Sequence, residues 1–278
     1  MGVLITSFAQ EANQDNAFIN KRGIALLPQA GDFALGIDAT PFLEYLGNIS
    51  GFRFNNAPVF KGVNNTIYFK YFLEDDRALR AKLHLNIGQE KYKQTVEDDH
   101  ATITDPTNVD ATTIDTWVKN TQNVGLDIGY EFRRGKGRVQ GFYGGEIYLG
   151  YTAGNEFFEY GNPITGANTK PAFHEFAKYN LPKNAYRATE RKPGQILSAG
   201  IGGFIGVEYF FTPQISMGGE FGLSYIYEIK GQDVIKGEAF IDSDVKEFSH
   251  RVRNANDRAF IMEGFTRTNA AISLIFHF

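Results

Sequence analysis

The chain is 278 residues long, with 28 Lys+Arg against 32 Asp+Glu for a formal net charge of -4, and it has no cysteine. Lack of cysteine excludes disulfide scaffolds, zinc–cysteine sites, iron–sulfur clusters and thiol catalysis, and the acidic balance argues against a nucleic-acid partner. Thirty glycines and 14% aromatics point to β structure with many turns, and the longest uncharged stretch, Pro193–Val207, holds five glycines and is too short for a spanning helix, which needs ~18 apolar residues.

Taken from the N-terminus, the apolar run Gly2–Phe8 leads to Ala9, with Ser7 and Ala9 spaced as the small residues before a signal cleavage site. Residues 1–9 are therefore expected to be the remnant of a secretory signal. No Lys or Arg precedes Lys21, so the basic start of that signal is expected upstream. Residues 10–30 have no steady period, contain Pro28 and read as a periplasmic linker; residues 31–278 read as one β domain.

From Gly31 onward apolar residues alternate with small, polar or charged ones, the period of a strand. The first expected strand sets Phe33, Leu35, Ile37 and Ala39 against Gly36, Asp38 and Thr40; the second sets Ile67, Phe69, Tyr71 and Leu73 against Tyr68, Lys70 and Phe72. Between Arg77 and Gly88, Leu79, Ala81, Leu83, Leu85 and Ile87 share one face while Arg80, Lys82, His84 and Asn86 share the other, a segregation that a helix would scatter. The fourth strand opposes Val124, Leu126, Ile128, Tyr130 and Phe132 to Gly125, Asp127, Gly129, Glu131 and Arg133. The fifth opposes Val139, Tyr143, Ile147, Leu149 and Tyr151 to Gln140, Gly144 and Glu146. A sixth, from Ile196 to Phe211, points Ile201, Ile205, Val207, Tyr209 and Phe211 away from Glu208; a seventh opposes Ile215, Met217, Phe221, Leu223, Tyr225 and Tyr227 to Ser216, Glu220 and Ser224. The eighth ends the chain, with Ala270, Ile272, Leu274, Phe276 and Phe278 opposite Asn269, Ser273 and His277.

The connections alternate in length. Glu74–Asp76, Arg134–Gly137 and Thr212–Gln214 are tight turns, whereas Pro41–Asn64, Gln89–Gln122, Thr152–Gln195 and Glu228–Gly264 are long, with Ile114–Val118 and Phe157–Tyr160 as possible strand extensions. This is the pattern of an all-β, eight-stranded antiparallel transmembrane up-and-down β-barrel with short periplasmic turns and long extracellular loops. A barrel of eight strands encloses a space just wide enough for side chains. A near-continuous Leu, Ile, Val, Phe and Tyr ladder on one face, with Asp38, Lys70, Arg80, Lys82, His84, Asp127, Glu131, Arg133, Glu146, Glu208 and Glu220 on the other, implies lipid outside and a charged lumen inside. Acidic and basic lumen residues nearly balance, so ion pairs are expected across the axis, with Asp127 and Glu131 as partners of Arg80 and Lys82.

Three stretches, 27–47, 71–81 and 203–213, resemble small outer-membrane β-barrel proteins of the Bacteroidota type, grouped loosely with OmpA-like and porin-family barrels. The terminal residues Ile272, Leu274, Phe276 and Phe278 resemble the signal read by barrel-assembly machinery. The resemblance implies a Gram-negative cell outer membrane as location, with membrane lipid, lipopolysaccharide and the assembly machinery as partners. The chain ends at the last strand, so a barrel without the peptidoglycan-binding domain of longer relatives is expected.

Candidate chemistry is sparse. His100 beside Glu97, Asp98 and Asp99 could form an acid/base or metal cluster, but reads better as a solvated outer surface. Glu208 and Glu220 could be a carboxylate pair, but ion-paired lumen filling is the better reading. The remaining histidines, His174, His250 and His277, are dispersed. Arg187, Arg191 and Lys192, or Arg251, Arg253 and Arg258, are candidates for lipopolysaccharide phosphates. No catalytic residue, metal or cofactor is expected. Loop aromatics Phe157, Phe158, Tyr160, Phe173, Phe176 and Tyr179 favour an interaction barrel that binds a partner protein or surface ligand. A narrow channel for small or hydrophobic solutes is the alternative, and a barrel enzyme a distant third.

Overall fold

Residues that alternate in polarity form strands whose two faces meet different surroundings, and here nearly every such stretch is a strand. A computed structural model describes residues 25–39, 65–108, 110–252, 258–263 and 270–278. The strands are β1 (Phe33–Asp38), β2 (Asn65–Glu74), β3 (Arg77–Glu97), β4 (Thr112–Lys136), β5 (Val139–Glu159), β6 (Arg187–Lys192), β7 (Ile196–Thr212), β8 (Ile215–Lys230), β9 (Asp233–Ile241), β10 (Asp244–Val252), β11 (Arg258–Glu263) and β12 (Ala270–His277). Among the described residues a single short helix, α1 (Asp99–Thr104), lies between β3 and β4. The expected signal remnant, most of the linker and the 41–64 connection lie outside the described residues.

Eight strands close into a ring: β1, β2, β3, β4, β5, β7, β8 and β12 pair in that order, all antiparallel, and β12 pairs back onto β1. Closure matters because an open edge leaves unpaired N–H and C=O groups. Its seam is completed by Phe33 and Phe278, whose backbone N–H groups each donate to the other's carbonyl, at 3.2 and 2.9 Å, and whose rings stack at 5.1 Å.

The chain is inverted relative to a water-soluble core. Ile201, Ile205 and Ile147 on the outward face are 65%, 63% and 58% exposed, whereas inward-facing Glu131 and Glu208 are fully buried. Ala39 departs from the expected outward ladder. β1 ends at Asp38, and Ala39 is buried with its N–H donating to the Ile272 carbonyl at 2.7 Å.

Where described, the long connections Gln89–Gln122 and Glu228–Gly264 are mostly strand, which corrects the expectation of loops there, whereas Thr152–Gln195 is strand only towards its ends, with 160–186 irregular. β3, β4 and β5 run for 21, 25 and 21 residues. β7 follows β5 only as far as the Thr152–Ile196 pair; beyond it β6 takes over that edge through Glu156–Arg191 and Phe157–Glu190, and β9 and β10 extend the sheet. A wall of β3, β4, β5, β6, β9 and β10 thus rises from one side of the ring, and β11 lies along the far half of β8. The β9–β10 turn has two successive left-handed residues, Asp242 (φ 54°) and Ser243 (φ 66°), the hairpin geometry that suits strand twist. The turns at the opposite end are tighter than expected: β4 continues through Arg134 to Lys136, and Gly137, at φ 73°, makes the reversal.

Candidate functional site

Strand parity sets what enters the ring. Even positions of β3 and β5 and odd positions of β4 turn inward, bringing Arg80, Lys82 and His84 opposite Asp127, Glu131, Arg133 and Glu146, while Lys70, Glu208 and Glu220 arrive from β2, β7 and β8. Gly129, paired with both Arg80 and Glu146, leaves the space these side chains cross. A Cβ there would lie 2.8 Å from the Gly145 carbonyl and 2.9 Å from the Glu146 Cβ.

Nearest the short turns the interior is apolar, filled by Ala34, Phe72, Ala78, Ile275 and Phe210. Above it the Arg133 guanidinium lies 5.3 and 5.7 Å from the Phe72 and Phe210 rings and donates to Glu131 at 2.8 Å and Glu208 at 2.9 Å. Lys70 bridges the same two carboxylates at 3.2 and 3.0 Å, with Phe142 4.7 Å away. Glu208 also accepts from Ser216, whose hydroxyl lies 2.8 Å from His277 Nε2. One level higher, Arg80 grips both oxygens of Glu220 at 2.8 and 2.6 Å, reaches Glu131 at 3.5 Å and stacks on Phe204 at 3.8 Å. Lys82 joins Glu146 at 2.8 Å and Glu220 at 3.3 Å. Four cations and four glutamates therefore form one connected, charge-balanced network, the condition under which buried charges offset their desolvation. His84 meets Asp127 and, through Nδ1, Thr66 Oγ1 at 2.9 Å.

The expected partners of Arg80 and Lys82 are corrected in part. Asp127 lies directly across from Lys82 in register but bonds His84, because the longer lysine reaches past it to β5 and β8. Of the partners expected for Arg80 and Lys82, only the Arg80–Glu131 contact forms. Glu208 and Glu220 are no carboxylate pair: each sits opposite a glycine, Gly218 and Gly206, and is held by a different set of cations. Ile272, Phe276 and Phe278 of the terminal strand are exposed on the outward face and Leu274 is half-buried.

The inner face of the wall has its own core. Trp117 stacks between Tyr92 (4.9 Å) and Phe158 (6.1 Å), and Phe176 and Tyr179 of the 160–186 segment close over Trp117 and Phe158. Glu156 gathers Trp117 Nε1 (3.2 Å), the Tyr179 hydroxyl (2.6 Å) and Arg191 (2.7 Å). Asp115 accepts from the backbone of Gly161 and His174, and Asn162 donates to the carbonyls of Glu97 and Ala172. Burial raises the hydroxyls of Tyr160 and Tyr179 above the ordinary phenol value. Burial alone would raise Glu190 too, but hydrogen bonds from Lys236 and Lys192 hold it below the usual carboxylate range.

These contacts overturn three expectations. Phe158, Tyr160, Phe173, Phe176 and Tyr179 pack on one another and their neighbours; of the six loop aromatics expected to meet a partner only Phe157 is exposed. Arg187, Arg191 and Lys192 are engaged by Glu238, by Glu156 and Asp233, and by Glu190, so they do not stand ready for phosphate. Asp98 caps α1 by accepting from the Ala101 N–H, and Asp99 accepts from Asn168 and Ala172, so these two acidic residues beside His100 are structural, while Glu97 is exposed. Among the described residues no group of His, Asp and Glu is arranged to hold a metal. Arg251 is exposed on β10, and Arg253 lies outside the described residues.

Phe142, Phe204, Trp117, Asp115, Glu156 and Asn162 were not singled out from the sequence. Phe142 and Phe204 left a signal, since they are apolar residues at inward positions among glycines. Asn162 and Asp115 left none, because their partners are distant backbone groups. No protein-family model matches the chain, and no curated protein matches it.

Proposed function

We propose that the chain is a closed transmembrane β-barrel of a Gram-negative outer membrane, with a structural and interaction role: it anchors an ordered β wall outside the cell for recognition of a partner protein or surface ligand. The observation that carries the reading is the inversion of polarity, an apolar exterior around an ion-paired interior, which is favourable only where the exterior is lipid. Aromatic side chains support it by marking two levels. Phe33, Tyr71, Phe132, Tyr143 and Tyr209 lie near the short turns and Tyr151, Tyr225 and Tyr227 towards the wall. On β5 the two levels are about 20 Å apart along the axis for strands tilted ~40°, close to the ~25 Å apolar band of such barrels. Above the upper level the outward face turns polar in one step: Gln89, Asn120 and Asn155 bond side chain to side chain across β3, β4 and β5 at 2.8 Å each.

An interior crossed by salt bridges and sealed by Phe72 and Phe210 favours the anchor over the narrow channel. The loop aromatics no longer recommend a sticky loop surface, so recognition falls to the outer face and rim of the wall. The test joins planar-bilayer recording to an epitope inserted between Asp242 and Ser243. A closed anchor gives baseline conductance and an epitope that antibody reaches on intact cells. Large steady conductance would bring the channel forward, and an epitope reached only after lysis would overturn the display role.

A further inference from the structure

The geometry points to a seat for one glycerophospholipid on the outward face of β5, β7 and β8, with the lipid phosphate on Arg134 and one acyl chain in a furrow floored by Gly141, Val207 and Gly219. The inference rests on the membrane-spanning reading and adds a defined ligand to it.

Register builds the furrow. Arg134 pairs with Gly141, Gly141 with Val207, Val207 with Gly219 and Gly219 with Ile272, one row across five strands. The next row towards the wall is bulky, running Phe132, Tyr143, Ile205 and Phe221. Two missing side chains in an otherwise filled apolar face leave a trough of about 720 Å³. Four strand spacings give it a length of about 19 Å, within the reach of a long acyl chain. Because the strands tilt, a row that crosses them runs obliquely into the band rather than around it.

These glycines are not forced by close packing. A Cβ at Gly219 would meet nothing within 4 Å, and one at Gly141 only the Arg134 carbonyl at 3.3 Å. By contrast, inward-facing Gly144 and Gly206 have the Phe204 and Phe142 rings against them. The space over the outward pair is open.

Charge completes the seat. Arg134 is exposed three residues before the Gly137 reversal, at the level where the apolar band meets water, and among the described residues no carboxylate pairs with it. Its neighbour Arg133 points inward to Glu131 and Glu208, and Glu220, beneath the furrow floor, is turned inward to Arg80. A cation at the mouth of an apolar trough matches a phosphodiester attached to an acyl chain.

The test uses the full chain, unmodified and as Arg134→Gln, Gly141→Leu/Gly219→Leu and, as a control at the turn, Arg77→Gln. Insertion of each into phosphatidylethanolamine/phosphatidylglycerol vesicles is checked first by heat-modifiable gel migration. Native mass spectrometry of protein extracted from those vesicles then counts retained phospholipid, with diacylglycerol offered in parallel as a probe without phosphate. The seat predicts one tightly retained phospholipid in the unmodified and Arg77→Gln proteins, at least tenfold less in the other two, and no retained diacylglycerol. Insertion with equal retention in all four proteins, or equal retention of diacylglycerol, overturns the seat alone. Failure of the unmodified chain to insert overturns the membrane reading itself.

Discussion

Glu131 touches three cations at once: Lys70, Arg80 and Arg133 all lie within 3.5 Å of its two oxygens, and none of the four side chains reaches water appreciably. Removing that carboxylate leaves three cations sharing the remaining glutamates in a confined space, where breaking a buried pair costs about 3–5 kcal/mol. Glu131→Ala should therefore lower the urea midpoint of unfolding from detergent micelles strongly. Arg77→Ala, whose partners Glu74 and Asp76 are exposed at a turn, should change the unfolding free energy by less than about 1 kcal/mol and so leave the midpoint nearly in place. Equal midpoints for the two variants would show that water, not the network, satisfies the interior charges. Which residues face inward was legible from parity alone; whom each meets was not. Lys82 passes over Asp127 to reach Glu220 on β8, a choice set by how the ring closes and therefore by strands more than a hundred residues away in sequence.

At the scale of elements, the strands inside the ring were legible because apolar and polar residues alternate without interruption. The wall was not. Beyond Gln89 and Gln122 both faces of β3 and β4 carry polar side chains, so the period fades although the ladder continues for the whole of both strands. The β9–β10 hairpin was hidden in the same way, since of the buried positions Asp233, Ile235, Gly237 and Ala239 only Ile235 is a large apolar residue, and its turn is Asp-Ser. The wall's core is nonetheless its own unit, built on the single tryptophan of the chain. Trp117 emission should therefore report the wall separately from the ring. Phe176→Ala should shift that emission to the red and lower its urea midpoint, while heat-modifiable migration, a property of the closed ring, stays unchanged. Loss of both signals together would mean that wall and ring unfold as one cooperative unit.

For the whole molecule, closure and polarity act together: the ring removes edges, ion pairs fill its interior, and on the proposed reading the apolar exterior meets lipid rather than water. The absence of cysteine lets this be tested one position at a time, because every nitroxide label is then unique. In vesicles, labels at outward Ile201 and Ile205 should collide with dissolved oxygen and be shielded from a water-soluble nickel chelate. A label at Gln89, above the band, should show the reverse, and one at inward Ser224 should be reached by neither. Nickel accessibility at Ile201 and Ile205 equal to that at Gln89 would contradict the membrane-spanning ring.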